Sequence, residues 1–197
     1  MGRKLGVMGG TFDPIHNGHL TTAEEALVQF GLDEVVFVPT GRPWMKEHED
    51  VSPPEHRYLM TVIATASNPR FRVSRIDVDR EGPTYTIDTL RALADQESDA
   101  ELFFVTGADA MLEIFEWKEP QDLLALAHFI AATRPGYDLA TLESSTATRD
   151  RVSVMAIPAL AISSTDVRRR VREGRPIRYL VPEGVKSYVE KTGLYRN

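Results

Sequence analysis

Short apolar runs alternate along this chain with segments in which apolar residues recur at helical spacing. The apolar runs indicate β-strands, which we predict at residues 5–8, 34–38, 71–74, 102–106, 129–132 and 152–157. The helical spacing predicts α-helices at residues 19–30, 57–67, 86–96, 164–173 and 184–191. Alternation of this kind is typical of an α/β fold, here a doubly wound parallel sheet with helices on both faces.

The segments between these elements contain no repeat and nothing typical of an interdomain linker. Residues 40–53 are polar and turn-rich and are predicted to form a mobile loop, and residues 137–151 are also loop-like. With 197 residues, the chain is long enough to bury one self-sufficient core. We therefore predict a single domain over residues 1–197, with a small C-terminal helical portion from about residue 163.

Composition narrows the classes of function that the chain could have. Cysteine is absent, which excludes disulfides, thiolate metal sites and cysteine nucleophiles. The chain has no apolar run near the roughly 20 residues that a membrane span needs and no signal peptide at its N-terminus, so we expect a cytoplasmic protein. The net charge of −6 argues against a general binder of nucleic acid or anionic membranes.

One basic segment interrupts this acidic background. Between Ser163 and Tyr179 the chain has six arginines and two carboxylates, so this segment carries +4 and the rest of the chain −10. A basic element on an acidic body suggests a local anion site. A solvated helix face is the alternative.

The first predicted strand leads into the sequence GGTFDPIHNGH, residues 9–19, and then into the first helix. In a doubly wound sheet, ligands bind beyond the carboxyl ends of the strands, and glycines let a ligand approach the backbone closely. His16 and His19 lie three residues apart at the positive end of a helix, so both imidazoles can face one anion. This combination favours a phosphate or nucleotide site over a structural turn. A zinc site is disfavoured, because no cysteine or obvious third ligand accompanies the histidines.

A second motif, ISSTDVR, spans residues 162–168. Serine and threonine cap helices and leave backbone N–H groups facing outward. Arg168 follows one turn into the helix, where its guanidinium can bind a phosphate in bidentate fashion. Alone, the motif is more typical of a plain N-cap followed by solvated arginines.

Together the two motifs resemble the signatures of the HxGH nucleotidylyltransferase superfamily. Within it, the chain is similar over nearly its whole length to the bacterial nicotinate-nucleotide adenylyltransferase family. The resemblance extends to Lys46, His56-Arg57, residues 83–90, residues 107–109, Trp117 and residues 134–136. The chain departs from the family pattern at Ile15, where many members have proline, and at Trp44-Met45, where Pro-His is commoner.

This resemblance implies a Rossmann-like fold and a defined reaction. AMP would pass from ATP to nicotinate mononucleotide, giving deamido-NAD and pyrophosphate in NAD biosynthesis. The acceptor phosphate would attack the α-phosphorus in line, without a covalent enzyme intermediate. Mg²⁺ is expected to arrive with ATP, without a dedicated set of metal-ligating residues. No nucleic acid or membrane partner is expected, and a homo-oligomer is left open.

The resemblance also assigns residues to the two substrates. The catalytic set is His16, His19 and Arg168. The ATP-binding set is Gly9, Gly10, Thr11, Phe12, His16, His19, Gly107, Asp109, Ile162, Ser163, Ser164, Thr165 and Arg168. The acceptor-binding set is Lys46, Thr84, Tyr85, Thr86, Trp117 and Arg134.

Two acceptor contacts carry the implied specificity. The nicotinate ring would stack on Trp117, and its carboxylate would accept backbone N–H bonds around Tyr85 and Thr86 at a helix start. Donors that face a carboxamide nitrogen would be unsatisfied, so this arrangement favours the acid over the amide. Lys46 would contact the mononucleotide phosphate. Without the resemblance, core packing explains Trp117 about as well, and a solvated loop position explains Lys46 better.

Three other functions compete with this interpretation. A sister adenylyltransferase could use phosphopantetheine or nicotinamide mononucleotide as the acceptor. A non-catalytic nucleotide sensor could have the same fold, although the presence of His16, His19 and Arg168 disfavours it. An RNA-binding relative is disfavoured by the acidic body of the protein.

Overall fold

The computed structural model describes residues 2–43, 51–133, 150–158 and 160–196 of the chain. Its strands are β1 (Arg3–Gly10), β2 (Glu34–Pro39), β3 (Phe71–Val73), β4 (Ala100–Gly107), β5 (Ala127–Thr133) and β6 (Val152–Ala156). Its α-helices are α1 (Asn17–Phe30), α2 (Pro54–Thr65), α3 (Thr86–Gln96), α4 (Ala108–Leu112), α5 (Pro120–Leu126), α6 (Ser164–Arg172) and α7 (Glu183–Thr192). A short 3₁₀ turn covers Ile114–Glu116.

The strands form one sheet in the order β3-β2-β1-β4-β5-β6, and every pairing is parallel. The chain therefore builds outward from β1 to β3 and then crosses back to place β4 on the other side of β1. This confirms the predicted α/β fold. The strand order reverses between β1 and β4, which is where ligands bind in sheets of this kind.

Alternate residues of the central strands feed two cores, one on each face of the sheet. Leu5 and Val7 of β1 belong to one buried cluster, with residues of α3, α4 and α5. Met8 belongs to the other cluster, with residues of α1, α2, α6 and α7. Both faces of the sheet are thus covered by helices, which is why these strands have continuous apolar sequences.

The observed boundaries follow the predicted ones closely. Helix α3 has the predicted bounds, and α1 ends before Gly31, whose φ of 61° is left-handed as helix-ending glycines often are. Helix α1 begins two residues earlier than predicted, at Asn17, because His16 takes the N-cap position. The predicted loops at 40–53 and 137–151 lie partly outside the described residues.

The C-terminal helices pack onto the same core as the sheet. Val167, Val185 and Val189 are buried in the cluster that contains Met8. Asn17, at the start of α1, donates hydrogen bonds from its backbone and side chain to the carbonyls of Leu180 and Tyr179. The division into a single domain stays a prediction, which this shared core supports. No helix among the described residues is long and apolar enough to span a membrane.

Candidate active site

Two cavities open at the carboxyl ends of β1 and β4. The histidine cavity has a volume of about 520 Å³ and is lined by both histidines of the first motif. The tryptophan cavity has a volume of about 280 Å³ and is lined by Trp117, Tyr85 and Thr86. Gly9 and Thr106 line both cavities, so the two spaces meet where β1 and β4 end.

The histidine cavity gathers most of the predicted ATP-binding residues from distant parts of the chain. They are Gly9, His16, His19, Gly107, Asp109, Ile162, Ser163, Ser164 and Thr165. Gly10 and Thr11 line the adjoining tryptophan cavity instead. Parts of both sequence motifs and the end of β4 therefore converge on one space.

The two imidazoles are stacked, with ring centroids 3.7 Å apart and planes at 19°. The backbone N–H of His16 donates to Nδ1 of His19 at 3.2 Å, so a neutral His19 carries its proton on Nε2. Burial lowers the pKa of His19 well below its ordinary value, and the neighbouring His16 lowers it further. At neutral pH, His19 is therefore an uncharged hydrogen-bond donor.

The loop between β1 and α1 is held in shape by its own side chains. Phe12 has a left-handed backbone, with a φ of 49°. Its ring is buried and contacts the His19 ring edge-on, with the centroids 5.1 Å apart. A Cβ on Gly10 would lie 2.8 Å from the Phe12 ring, so this packing requires glycine. Phe12, although predicted to bind ATP, therefore packs against His19 and lines neither of the two cavities.

Helix α6 presents its N-terminus to this loop. The Ser163 side chain accepts the Asp166 N–H at 3.1 Å, which confirms the predicted N-cap. Ser164 Oγ donates to the Pro14 carbonyl at 2.9 Å, and Arg168 Nη1 donates to the Asp13 carbonyl at 2.8 Å. The motifs at residues 9–19 and 162–168 thus form one structure.

Arg168, although predicted to bind ATP, does not line the histidine cavity. It lines a separate cavity of about 450 Å³, together with Arg172 and Arg196. The arginines between them differ, because Arg169 and Arg170 both form ion pairs with Asp166. The basic segment therefore divides into a paired face and a face toward this cavity. The alternative prediction of a solvated helix face holds for Arg169, whose side chain is more than half exposed.

The tryptophan cavity has an aromatic wall and a helix start. Trp117 meets Phe104 edge-on at 6.2 Å, and its buried Nε1 has no hydrogen-bond partner among the described residues. Lys118 Nζ lies 4.6 Å from the Tyr85 ring centroid. Thr86 begins α3, where the first backbone N–H groups of a helix have no partner within it. The cavity therefore offers a flat apolar surface beside N–H donors.

Asp77 is a wall residue of this cavity that the sequence did not indicate. Its carboxylate is 3% exposed and accepts the Thr89 hydroxyl at 2.9 Å through both oxygens. Burial raises the pKa of Asp77 to about 6, against the opposing effects of the Thr89 hydrogen bond and of Arg80. No sequence motif indicates this residue, because its place in the cavity wall depends on the packing of α3 against it.

Arg57 is a second buried charge that the motifs did not single out for a role. Its guanidinium is 1% exposed and donates to the carbonyls of Ser52, Thr11, Thr40 and Gly41, at distances between 2.6 and 2.8 Å. Burial lowers the pKa of Arg57, and the nearby Asp13 carboxylate opposes this effect. A signal was present in the sequence, because Arg57 shares the buried face of α2 with Met60, Thr61 and Ala64.

Two predicted acceptor residues, Lys46 and Arg134, lie outside the described residues. The others, Thr84, Tyr85, Thr86 and Trp117, all line the tryptophan cavity. Within the described ranges, no three histidine, aspartate or glutamate side chains are grouped so as to hold a metal ion. The donors here are N–H groups, hydroxyls and imidazoles, which suit phosphate oxygens, so a divalent ion would be held by nucleotide phosphates and water.

Comparison with known proteins agrees with this geometry. Residues 7–170 match the cytidylyltransferase-like family. A Paenarthrobacter aurescens protein named probable nicotinate-nucleotide adenylyltransferase is 63% identical over 188 residues, which cover 95% of this chain and 89% of that protein. A protein of the same name from Streptomyces coelicolor is 59% identical over 189 residues, which cover 96% of this chain and 99% of that protein.

Solved structures match the fold over almost the whole chain. Plasmodium falciparum nicotinic acid mononucleotide adenylyltransferase complexed with NaAD has a TM-score of 0.80 and 21% identity, covering 98% of this chain and 97% of that chain. The same enzyme complexed with APC has a TM-score of 0.78, also at 21% identity and with the same coverage. At 21% identity, these similarities establish the fold of this chain and nothing further about its function.

Proposed function

The chain belongs to the cytidylyltransferase-like family and, within it, to the nicotinate-nucleotide adenylyltransferases, and we propose that it transfers AMP from ATP to nicotinate mononucleotide. The products are deamido-NAD and pyrophosphate, the activity classified as EC 2.7.7.18. The observation that carries this proposal is the meeting of the two cavities at Gly9 and Thr106. One cavity suits a nucleotide with its phosphates, and the other suits a flat aromatic acid.

ATP occupies the histidine cavity in this proposal. Asp109 and Gly107, at the end of β4, face the adenosine portion, while the start of α6 and the two histidines face the phosphates. The N-termini of α1 and α6 carry partial positive charge and free N–H groups, which stabilise anions. Arg168, one turn into α6, is proposed to bind the terminal phosphates, although its side chain lines a separate cavity in this structure.

Nicotinate mononucleotide occupies the tryptophan cavity. Its ring stacks on Trp117, and its carboxylate accepts N–H bonds at the start of α3, beside Tyr85 and Thr86. Its phosphate then lies toward Gly10 and Thr11, next to Gly9, where the cavities meet. Lys46 and Arg134 are proposed to add positive charge to the acceptor site.

The chemistry requires little acid–base catalysis. The acceptor phosphate is already an anion, so the protein needs to align it with the α-phosphorus and to stabilise charge on the transferring and leaving groups. His19 donates from Nε2 to the leaving oxygen without needing to be protonated, in keeping with its lowered pKa. A divalent ion, proposed to be Mg²⁺, arrives with ATP and neutralises phosphate charge when bound.

Several further expectations stay predictions. They are that the protein acts in the cytoplasm and that it binds neither nucleic acid nor membranes. Its oligomeric state is open. Phosphopantetheine is a weaker candidate acceptor, because it has no flat ring to stack on Trp117 and no carboxylate to face the start of α3.

Pyrophosphate release with ATP and Mg²⁺ tests the proposal directly. Nicotinate mononucleotide, nicotinamide mononucleotide and phosphopantetheine are offered in parallel to the same preparation of protein. We expect release mainly with the acid, because the N–H donors at Thr86 face a carboxylate better than an amide.

Each other outcome changes a specific part of the proposal. Release mainly with phosphopantetheine would keep the ATP half and contradict the acceptor half. Equal release with the acid and the amide would contradict the role given to the start of α3. No release with any acceptor would favour the nucleotide sensor.

A further inference from the structure

Arg57 joins two segments that contribute to the tryptophan cavity. Thr11 and Thr40, two of the residues whose carbonyls it binds, line the tryptophan cavity. Thr11 belongs to the loop between β1 and α1, and Thr40 follows β2. One side chain on α2 therefore holds both segments from below.

The other two bonds extend this tie along the chain. Arg57 Nη2 donates to the Gly41 carbonyl at 2.8 Å, and Nε donates to the Ser52 carbonyl at 2.8 Å. Gly41 precedes Arg42 and Pro43, and this segment pairs with Thr84 at the acceptor wall through the Thr84 N–H and the Arg42 carbonyl. The guanidinium thus connects the loop between β1 and α1 to the wall of the tryptophan cavity at Thr84.

Only arginine can make this set of bonds. Its planar guanidinium presents five N–H donors in a fixed fork, whereas lysine presents one ammonium with three donors. All four acceptors are backbone carbonyls rather than carboxylates. The four hydrogen bonds therefore depend on the Arg57 side chain and not on the side chains of the acceptor residues. Burying this charge is costly, which argues that it does more than fill space.

We propose, on the basis of the adenylyl transfer proposed above, that Arg57 is a positioning residue for that reaction. It fixes the distance between Thr11, beside the reacting phosphate, and the wall at Thr40 and Gly41, beside the acceptor. In-line attack requires this alignment, and a displacement of about 1 Å costs on the order of 100-fold in rate. Arg57 itself contacts no substrate.

Substitution of Arg57 by lysine tests this role, because it keeps the charge and removes the fork. We expect kcat to fall about 10- to 100-fold while the KM values for ATP and nicotinate mononucleotide change by less than about 3-fold. Thermal unfolding and calorimetric binding of each substrate alone show whether the variant is folded. Arg70→Lys is the control, since Arg70 is an exposed arginine paired with Glu24 and should keep wild-type kinetics.

A second variant keeps the test decisive if Arg57→Lys does not fold. A Cβ on Gly41 would lie 2.1 Å from the Asp77 carbonyl oxygen, so Gly41→Ala must displace this segment while leaving Arg57 intact. We expect kcat to fall as in Arg57→Lys and KM for ATP to stay close to wild type. KM for nicotinate mononucleotide should rise as well, because this segment pairs with Thr84 at the acceptor wall.

The outcomes separate this inference from the proposed function. A wild-type protein without product from nicotinate mononucleotide would contradict the proposed function. An active wild type with unchanged kcat in a folded variant, or with a raised KM alone, would overturn only the role of Arg57.

Discussion

The histidine and tryptophan cavities are neighbours built in different ways. The histidine cavity takes most of its polar groups from two contiguous motifs, which are tied together by the bonds from Ser164 to Pro14 and from Arg168 to Asp13. The tryptophan cavity combines short runs at residues 9–11 and 84–86 with isolated residues from other elements, among them Asp77 and Phe104. Each motif of the histidine cavity places several phosphate-binding groups next to one another in sequence, whereas the wall of the tryptophan cavity also needs isolated residues that only tertiary packing brings to it.

Among substitutions that distinguish the two cavities, His19→Ala is expected to have the largest effect on turnover. Loss of the Nε2 donor removes an interaction with the leaving group that strengthens in the transition state, so kcat should fall by about 10²- to 10³-fold. KM for nicotinate mononucleotide should change little, because His19 does not line the tryptophan cavity. Steady-state kinetics with both substrates measure this.

His128→Gln is the matched control for that substitution. His128 lies on β5 and contacts the Ser153 hydroxyl at 2.8 Å, away from both cavities. It should keep wild-type turnover. Near-normal turnover of a folded His19→Ala protein would remove the proposed role of His19.

A smaller and opposite pattern is expected for Trp117→Ala. Loss of ring stacking costs about 1–3 kcal/mol, so KM for nicotinate mononucleotide should rise about 5- to 150-fold while KM for ATP stays close to wild type. Kinetics with each substrate varied in turn give the comparison, and Trp117→Phe should keep most of the affinity. Equal increases in both KM values would indicate that Trp117 serves mainly to pack against Phe104.

This contrast explains how much the sequence could predict. The sheet and α3 follow from apolar periodicity, and the convergence of His16 and Ser164 follows from motifs at strand–helix junctions. Asp77 could not be found in this way, because its burial results from the packing of α3, whose Thr89 contacts its carboxylate. Arg57 was available as a charged residue on the apolar face of α2, but its four carbonyl partners lie in segments without regular structure.

The buried Asp77 makes the stability of the acceptor side depend on pH. Its pKa is about 6 in the folded protein against an ordinary value of 3.8, so the native state binds this proton more tightly than the unfolded state. The resulting stability is fully present below about pH 4 and is lost as the pH rises through about 6. At neutral pH the protein therefore keeps a carboxylate in a place where burial opposes its charge.

Asp77→Asn should for this reason stabilise the protein at pH 7.5, by at most about 3 kcal/mol, and the gain should vanish near pH 4. Asparagine can still accept the Thr89 hydroxyl, so the wall keeps its hydrogen bond while losing its charge. Denaturant unfolding at pH 4, 5, 6 and 7.5 measures the difference. Asp79→Asn is the control, because Asp79 is exposed and paired with Arg75, and it should not stabilise the protein at pH 7.5. If Asp77→Asn were less stable than wild type at pH 7.5, the attraction between the charged carboxylate and Arg80 would outweigh the cost of burial, and the tryptophan cavity would depend on that charge.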